Sequence, residues 1–185
     1  MPVIAGIDYS LTSPAICVFD TEKGGFSYNN TTMYFRSNLS RFEMFREGNL
    51  HGSNHSDFKS DMDRYDGISD WAVKILNEHR VVQVYLEGYS FSSTGRVFNI
   101  AENTGILKYN MWDALINFDV IAPTTVKKFA TGSGRATKED MYNQFCIDNE
   151  NVNLKEMLTP RSDKIISPLN DIVDAYYILK CGLFN

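Results

Sequence analysis

The sequence predicts a single α/β domain with a mixed five-stranded sheet, in which an antiparallel meander is followed by strand–helix units and helices flank the sheet. The chain has 185 residues, of which 43% are hydrophobic and 13% aromatic, enough for one well-packed core. Strand-like runs separated by turn residues fill the first 35 positions, and helical periodicity alternates with such runs after position 60. We therefore expect one domain over residues 1–185.

The first part of the chain predicts three consecutive strands. Residues 3–9 form a short apolar run rich in β-branched side chains, and a polar turn joins it to a second run at residues 13–20. The sequence Lys23-Gly24-Gly25 predicts the next turn, and residues 26–35 have the aromatic and threonine content of a third strand. Three such strands in succession predict an antiparallel meander.

Residues 37–60 predict a long loop inserted into the domain. They are rich in Asn, Ser, Gly and His and show no sustained periodicity. His51 and His55 lie within this loop at a spacing that would suit a metal only on a helix. Because Gly52 and Asn54 separate them, we do not expect them to bind one.

The second part of the chain predicts helices that alternate with strands. Apolar residues recur at three- and four-residue intervals over residues 61–78, and Trp71 and Trp112 are expected to be core aromatics. The further elements expected are a strand over 81–86, a helix over about 94–117, a strand over 118–122, a turn at Pro123, a brief helix around Val126, a helix from Lys138 and a terminal helix from Ser167 to about Cys181.

The overall charge argues mildly against general nucleic-acid binding, but its distribution does not. The net charge is −5 and the isoelectric point about 5.2, whereas phosphate contacts normally leave a basic footprint. Between Asp119 and Glu139, however, there is no acidic residue, and this window contains four basic ones: Lys127, Lys128, Arg135 and Lys138. The sequence thus predicts a local basic patch on an acidic protein.

The compartment is expected to be cytosol-like. No apolar stretch is long enough for a membrane helix, and the N-terminal residues lack the pattern of a secretion signal. The three cysteines are far apart and odd in number, which predicts reduced thiols rather than disulfides or a zinc knuckle.

Carboxylate side chains recur at positions where the apolar pattern of the sequence predicts buried residues. Asp8 ends the first apolar run, Glu87 ends the strand at 81–86, and Asp171 and Asp174 share one face of the terminal helix beside apolar residues. Taken singly, two of these features have an ordinary explanation: Asp8 could cap a turn, and the terminal pair could compensate the helix dipole. Together they form the set needed to hold two divalent ions about 4 Å apart for phosphodiester hydrolysis.

Four segments carry a resemblance to a known family. They are Gly6-Ile7-Asp8 followed by Ser10 and Thr12; Leu86-Glu87 leading into a helix with Asn103, Gly105 and Leu107; Val126-Lys127-Lys128 followed by residues 132–138 and Met141; and Asp171-Ile172-Val173-Asp174-Ala175. In this order they resemble the RuvC-type Holliday junction resolvases of the ribonuclease H-like, or retroviral-integrase, superfamily. The resemblance implies a ribonuclease H-like fold.

The resemblance also implies roles for particular residues. Asp8, Glu87, Asp171 and Asp174 match the family's catalytic metal-binding tetrad, which implies two Mg²⁺ ions per site with Mn²⁺ able to substitute. Lys138 matches a catalytic lysine near the scissile phosphate, Lys127 matches one that contacts DNA, and Lys128 and Arg135 belong to the same DNA-binding segment. From the sequence itself, Thr137 and Asp140 predict a capping box at the helix that begins with Lys138.

The chain departs from the family at three places. Tyr9-Ser10 replaces the usual Pro-Gly after the first aspartate, and residues 37–60 look like an insertion. The family's aromatic wedge position is Ser90 here, flanked by Tyr89 and Phe91. Either aromatic could stack on a splayed base, which contributes roughly 1–3 kcal/mol, and we prefer Phe91.

We therefore expect a crossover junction endodeoxyribonuclease of DNA recombination and repair. The expected form is a homodimer that nicks opposing strands of a four-way junction and leaves 5′-phosphate and 3′-hydroxyl ends, with no membrane partner. The small size and many Asn, Tyr and Phe residues fit a phage or virus, in which case the protein would act in the host cytoplasm. Three alternatives remain: a nuclease for flaps, forks or packaging intermediates, a sugar-kinase or chaperone-type ATPase, and a non-catalytic junction-binding module.

Overall fold

A seven-stranded mixed sheet forms the centre of the protein. The computed structural model describes residues 2–89 and 97–185, so the predicted wedge residue Phe91 lies outside the described residues. The strands are β1 (Val3–Asp8), β2 (Ala15–Asp20), β3 (Thr31–Ser37), β4 (Arg46–Glu47), β5 (Leu50–Asn54), β6 (Val81–Glu87) and β7 (Asn117–Ile121). The helices are α1 (Asp61–Glu78), α2 (Val97–Asp113), α3 (Pro123–Thr131), α4 (Lys138–Asp148), α5 (Leu154–Leu158) and α6 (Leu169–Phe184).

The sheet combines the predicted meander with parallel strands. Its strand order is β4-β5-β3-β2-β1-β6-β7. The first three strands pair antiparallel, whereas β1 pairs parallel with β6 and β6 parallel with β7. The α/β class with a mixed, helix-flanked sheet is therefore confirmed.

The predicted loop over residues 37–60 is wrong, because this segment adds two strands to the sheet. β5 pairs parallel with β3, and β4 forms the sheet edge beside β5. Leu50 is fully buried, and Gly52 lies against the ring of Phe35, where a Cβ atom would come within 2.6 Å of Phe35 Cζ. Tertiary packing on β3 thus imposes strand structure on residues whose local composition does not favour it.

Several smaller expectations also need correction. A 3₁₀ turn at Tyr28–Asn30 delays the third strand until Thr31. Pro123 is the first residue of α3 rather than a turn residue, because its missing N–H costs nothing at a helix start. Trp112 is 67% exposed and not a core residue, whereas Trp71 is partly buried against the core.

The two faces of the sheet bury separate cores. Ala5, Ile7 and Tyr9 alternate toward α1 and α2, while Ile4 packs on the opposite face beneath α6. Gly6 also faces α6, where a Cβ atom would lie 2.5 Å from the Leu179 nitrogen and 2.7 Å from the Ala175 oxygen. The backbone of α6 therefore lies directly on β1.

Two features of composition agree with the structure. No disulfide joins Cys17, Cys146 and Cys181, and Cys17 and Cys181 are buried. Within residues 2–89 and 97–185, every helix is too short or too polar to cross a bilayer.

We predict that Gly6→Ala destabilises the protein by a few kcal/mol or more, because the added methyl group would displace α6. The free energy of unfolding in urea measures this effect. Gly67→Ala in α1 is the matched control, since nothing lies within 4 Å of its added Cβ and a helical Gly→Ala change adds about 0.5–1 kcal/mol of stability. A Gly6→Ala protein as stable as the original would contradict the contact.

Candidate active site

Two strand ends place Asp8 and Glu87 side by side on the face covered by α6. Alternation along β1 puts Asp8 on the same face as Ile4 and Gly6. Alternation along β6 does the same for Glu87, because Tyr85 packs against the core beneath α6. The parallel register pairs Ile7 with Leu86, so the next residue on each strand is a carboxylate at the same edge of the sheet.

The second pair of carboxylates comes from the first turns of α6. Asp171 and Asp174 precede Ala175, whose carbonyl group lies against Gly6. This contact brings both aspartates to the end of β1 that carries Asp8. Asp171 is only 6% exposed and Asp174 is half-buried.

Burial raises the pKa of all four carboxyl groups, and repulsion from neighbouring carboxylates adds to this for Asp8, Glu87 and Asp174. Burial is the largest cause for each of them, and the pKa of Asp8 is raised further by Asp171, Glu87 and Asp174. The pKa of Glu87 rises to about 7, with Asp171 adding to the effect of burial. The pKa of Asp174 also rises to about 7, with Glu87 and Asp171 as the next causes. Four interacting carboxyl groups therefore share one site.

Only one of the two carboxylate oxygens of Asp171 accepts a hydrogen bond. Asn170 Nδ2 donates a hydrogen bond of 2.7 Å to Asp171 Oδ1, while Asp171 Oδ2 is buried without a partner. The hydroxyl groups of Ser167 and Ser13 lie near enough to favour the ionised carboxylate and oppose the effect of burial on its pKa. A buried carboxylate oxygen without a partner is costly, which suits a group that binds a cation.

Two lysines face the cluster from neighbouring helices. Lys138 lowers the pKa of Asp8, Asp171 and Asp174, and Lys127 lowers that of Glu87 and Asp174, in each case against the stronger effect of burial. The capping box of Thr137 and Asp140 is present and begins α4 at Lys138, as predicted. The structure thus brings the two predicted lysines to the four predicted carboxylates.

The remaining residues of the basic segment lie beside these lysines. Lys128 is exposed on α3, and Arg135 is exposed in the loop between α3 and α4. Gly134 holds that loop against α3, since a Cβ atom there would come within 3.2 Å of the Thr124 oxygen. The segment is therefore a compact basic surface rather than a solvated tail.

A groove of about 290 Å³ opens beside Asp8 and Glu87. Its other walls are Tyr9, Ser10, Leu11, Thr12, Gly88, Tyr89, Ile100 and Thr104. Lys108 Nζ lies 5.1 Å from the centre of the Tyr89 ring. Of the two predicted wedge aromatics, Tyr89 therefore lies at the site, and Phe91 stays a prediction.

The loop after Asp8 is fixed by residues that sequence reasoning did not find. Arg64 Nη2 donates a hydrogen bond of 2.8 Å to the Leu11 oxygen, and His55 Nε2 bonds the Thr12 oxygen at 3.0 Å. Both come from distant segments, so no local pattern marks them. Asn170, which contacts Asp171, could have been suspected from its position directly before the DxxD pair.

The chemistry of the four carboxylates fits hard divalent cations. Carboxylate oxygens are the ligands that Mg²⁺ prefers, and the unpartnered Asp171 Oδ2 is a donor atom available for one. Among the described residues, no three His, Cys, Asp or Glu side chains already stand in metal-binding geometry. The ligand set therefore stays a prediction.

We predict that removal of one carboxyl group stabilises the metal-free protein at alkaline pH. Because the pKa of Asp174 is about 7 in the folded protein and near 4 when unfolded, the folded state binds more protons between these values. In EDTA, stability should therefore fall as the pH rises from 5 to 8. Asp174→Asn should therefore recover on the order of 2 kcal/mol more at pH 8 than at pH 5, or several degrees in Tm.

Thermal unfolding in EDTA at both pH values measures this difference. Glu150→Gln removes an exposed carboxylate after α4 and serves as the control. Equal shifts for the two variants would mean that Asp174 is not in a repulsive cluster.

Comparison with known proteins gives matches only among solved structures, since no family model and no curated protein matches the chain. The RuvC protein of Thermus thermophilus in complex with a Holliday junction substrate covers 100% of this chain and 94% of its own, with a TM-score of 0.65 and 15% identity. The fowlpox virus resolvase in complex with Holliday junction DNA covers 99% of both chains, with a TM-score of 0.53 and 15% identity. The yeast mitochondrial Holliday junction resolvase covers 96% of this chain and 76% of its own, with a TM-score of 0.53 and 13% identity. The chain therefore has the ribonuclease H-like fold of the RuvC-type resolvases.

Proposed function

We propose that the protein is a metal-dependent endonuclease that resolves four-way DNA junctions. The observation that carries this proposal is the cluster of Asp8, Glu87, Asp171 and Asp174. Burial raises the pKa of all four groups, repulsion between carboxylates adds to this for three of them, and Lys127 and Lys138 face the cluster. Such repulsion is costly to the fold and is typical of sites that bind cations. A nuclease that binds divalent cations between these carboxylates would have a reason to retain the repulsion.

The four carboxylates would hold two Mg²⁺ ions, with Mn²⁺ able to substitute. When bound, such ions lower the pKa of a coordinated water and stabilise the oxygen that leaves phosphorus. Asn170 orients Asp171 through their hydrogen bond, and β1 and β6 fix Asp8 and Glu87 at adjacent strand ends. Rigid strands and a packed helix hold the site more accurately than loops would.

The basic groups would bind and orient the DNA. Lys138 would place positive charge near the scissile phosphate, while Lys127, Lys128 and Arg135 would contact the flanking backbone. A water oxygen would then form a bond to phosphorus as the bond to the 3′ oxygen breaks, and that oxygen would take up a proton. This leaves the 5′-phosphate and 3′-hydroxyl ends that ligation requires.

The choice of branched DNA is supported by the solved relatives. RuvC and the fowlpox resolvase were both determined with Holliday junction DNA. For this chain, the Tyr89 ring beside the groove is suited to stack on an unpaired base at a branch point. We place its action in the cytoplasm, of the host if the chain is viral.

An apolar stripe on α2 supports the homodimer. Phe98, Tyr109 and Trp112 share one helical face and are 78%, 63% and 67% exposed, and Leu115 just beyond the helix is 89% exposed. Exposed Glu102 and Gly105 separate Phe98 from the others, so the continuous apolar part of this face is Tyr109, Trp112 and Leu115, and an exposed apolar group of this kind marks an interaction surface. A second copy would bury it around a two-fold axis, which matches the approximate symmetry of a four-way junction.

We predict that Asp8→Asn and Asp174→Asn abolish cleavage and leave junction binding intact. The loss should exceed about 100-fold, since even indirect damage to a metal site costs 10- to 100-fold. Labelled four-way junction, linear duplex, flap and fork DNA would be incubated with Mg²⁺, Mn²⁺ or EDTA.

Paired nicks confined to the four-way junction are the expected result for the unaltered protein, and Glu150→Gln should cut as it does. Cleavage of flaps or forks instead would retain the site and change the substrate. Junction binding without cleavage under either metal would leave a non-catalytic binding module. Normal cleavage by Asp8→Asn would show that the site lies elsewhere.

We also predict that Trp112→Glu weakens the dimer by more than about 30-fold, the effect of losing an aromatic anchor of about 2 kcal/mol. Sedimentation over a range of protein concentrations measures the dissociation constant. Ile147→Glu alters an equally exposed apolar residue on α4 and should leave the dimer unchanged. If Ile147→Glu dissociates it and Trp112→Glu does not, the dimer uses a different face.

A further inference from the structure

A second basic recess lies apart from the predicted lysines. It has a volume of about 250 Å³ and is lined by Arg41, Thr159, Arg161, Ser162 and Ile166. Arg41 belongs to a 3₁₀ turn at Ser40–Phe42 that follows β3, and the other four residues lie between α5 and α6. No sequence motif pointed to this recess, because its two sides are more than 110 residues apart in the chain.

Arg41 is held in position by its own surroundings. Its Nη2 atom donates a hydrogen bond of 2.6 Å to the Leu158 oxygen, and its guanidinium carbon lies 4.6 Å from the centre of the Phe42 ring. Phe42 is only 1% exposed and is part of the core. The guanidinium is therefore fixed on a rigid surface and retains further N–H groups for a ligand.

Thr159 supplies a hydroxyl group that lacks a partner. The residue lines the recess and is 3% exposed, and its buried Oγ1 atom forms no hydrogen bond. A buried hydroxyl without a partner costs free energy, and a ligand oxygen would satisfy it. The backbone N–H of Ser162 donates to the Thr159 oxygen at 3.0 Å, which holds this turn closed.

The charge of the recess is positive and not neutralised within the described part of the chain. No described carboxylate forms an ion pair with Arg41 or Arg161. Arg161 is exposed at the rim of the recess, where it can turn toward a ligand. Two guanidinium groups around one hydroxyl donor are the chemistry that recognises a phosphate.

The recess lies beyond the same ends of the strands as the carboxylates. Asp8 pairs with Ala15, and Ala15 pairs with Phe35 near the end of β3, from which the chain continues to Arg41. The opposite wall leads directly into the helix that carries Asp171. Both sides of the recess therefore belong to segments that border the site.

The strand order places the recess and the predicted lysines on opposite sides of the carboxylates. α3, with Lys127 and Lys128, follows β7 at one sheet edge, Asp8 and Glu87 are on the neighbouring β1 and β6, and Arg41 follows β3. β3 is two strands from β1, about 10 Å away. At a rise of about 3.4 Å per nucleotide, this spacing between the two β-strands corresponds to a few nucleotides of one DNA strand.

We propose that Arg41, Arg161 and the Thr159 hydroxyl bind a backbone phosphate of DNA on the side of the carboxylates away from Lys127 and Lys128. This inference rests on the proposed action on DNA and extends it. The DNA strand would be held on both sides of the scissile bond, so that its phosphate is fixed over the carboxylates. Such a contact positions DNA and reads no sequence.

The test measures binding of a fluorescently labelled four-way junction in EDTA, where no cleavage occurs, at 50 to 200 mM salt. Arg41→Gln and Arg161→Gln should each raise the Kd roughly 3- to 10-fold and lower the slope of log K against log salt by about one. Arg80→Gln is the matched control, because the exposed Arg80 precedes Val81 at the opposite end of the sheet. It should change neither quantity.

Thr159→Val separates a phosphate contact from a structural role. Valine has the same shape and removes the unpartnered hydroxyl, so the Tm should hold or rise while the Kd for the junction increases. An unchanged Kd would remove the hydroxyl from the proposed site. Arg41→Lys should retain part of the affinity, since charge remains and the planar fork is lost.

The outcomes distinguish this inference from the function on which it rests. If the unaltered protein binds junctions and neither arginine variant alters the Kd or the salt slope, the phosphate site is wrong and the proposed function stands. If both variants weaken duplex and junction DNA alike and the protein has no preference for junctions, the phosphate site stands and the junction proposal fails. Absence of any DNA binding would overturn both.

Discussion

The contact between the backbone of α6 and Gly6 of β1 is the constraint on which the site depends. No side chain separates the two elements there, so the helix lies closer to the strand than ordinary packing allows. Gly182 has the same role near the other end of α6, where it lies against the Tyr85 ring. Two glycines thus set the distance between α6 and the sheet, and this distance determines where Asp171 and Asp174 lie.

That close approach has an electrostatic cost, which the proposed binding of divalent cations would explain. Burial in the same small volume raises the pKa of every carboxyl group in the cluster, and the partly compensating lysines lie on separate helices. A fold selected for stability alone would separate such groups or replace them with neutral ones. The repulsion between carboxylates is confined to the ends of β1 and β6 and the start of α6, while the cores on both faces of the sheet are apolar.

Sequence reasoning succeeded where a pattern was local and failed where structure depended on distant contacts. The limits of α1, the capping box at Thr137 and the strand-end positions of Asp8 and Glu87 follow from periodicity and composition over a few residues. β5 could not be predicted in this way, since its strand structure comes from pairing with β3. The exposure of Trp112 and the recess around Arg41 were missed for a related reason, because aromatic or basic character does not reveal which side of an element faces the core.

The distribution of the carboxylates along the chain also couples the proposed activity to folding. Asp8 and Asp171 are separated by more than 160 residues, and Glu87 lies midway between them. The cluster therefore requires both the pairing of β1 with β6 and the docking of α6, and contacts of such long range slow folding. The basic residues of α3 and α4 lie close together in sequence, but both helices pack against α6 and so depend on the same docking. Under the proposed function, a chain without α6 would lack Asp171 and Asp174, so the ability to cut would appear only once the last helix has docked.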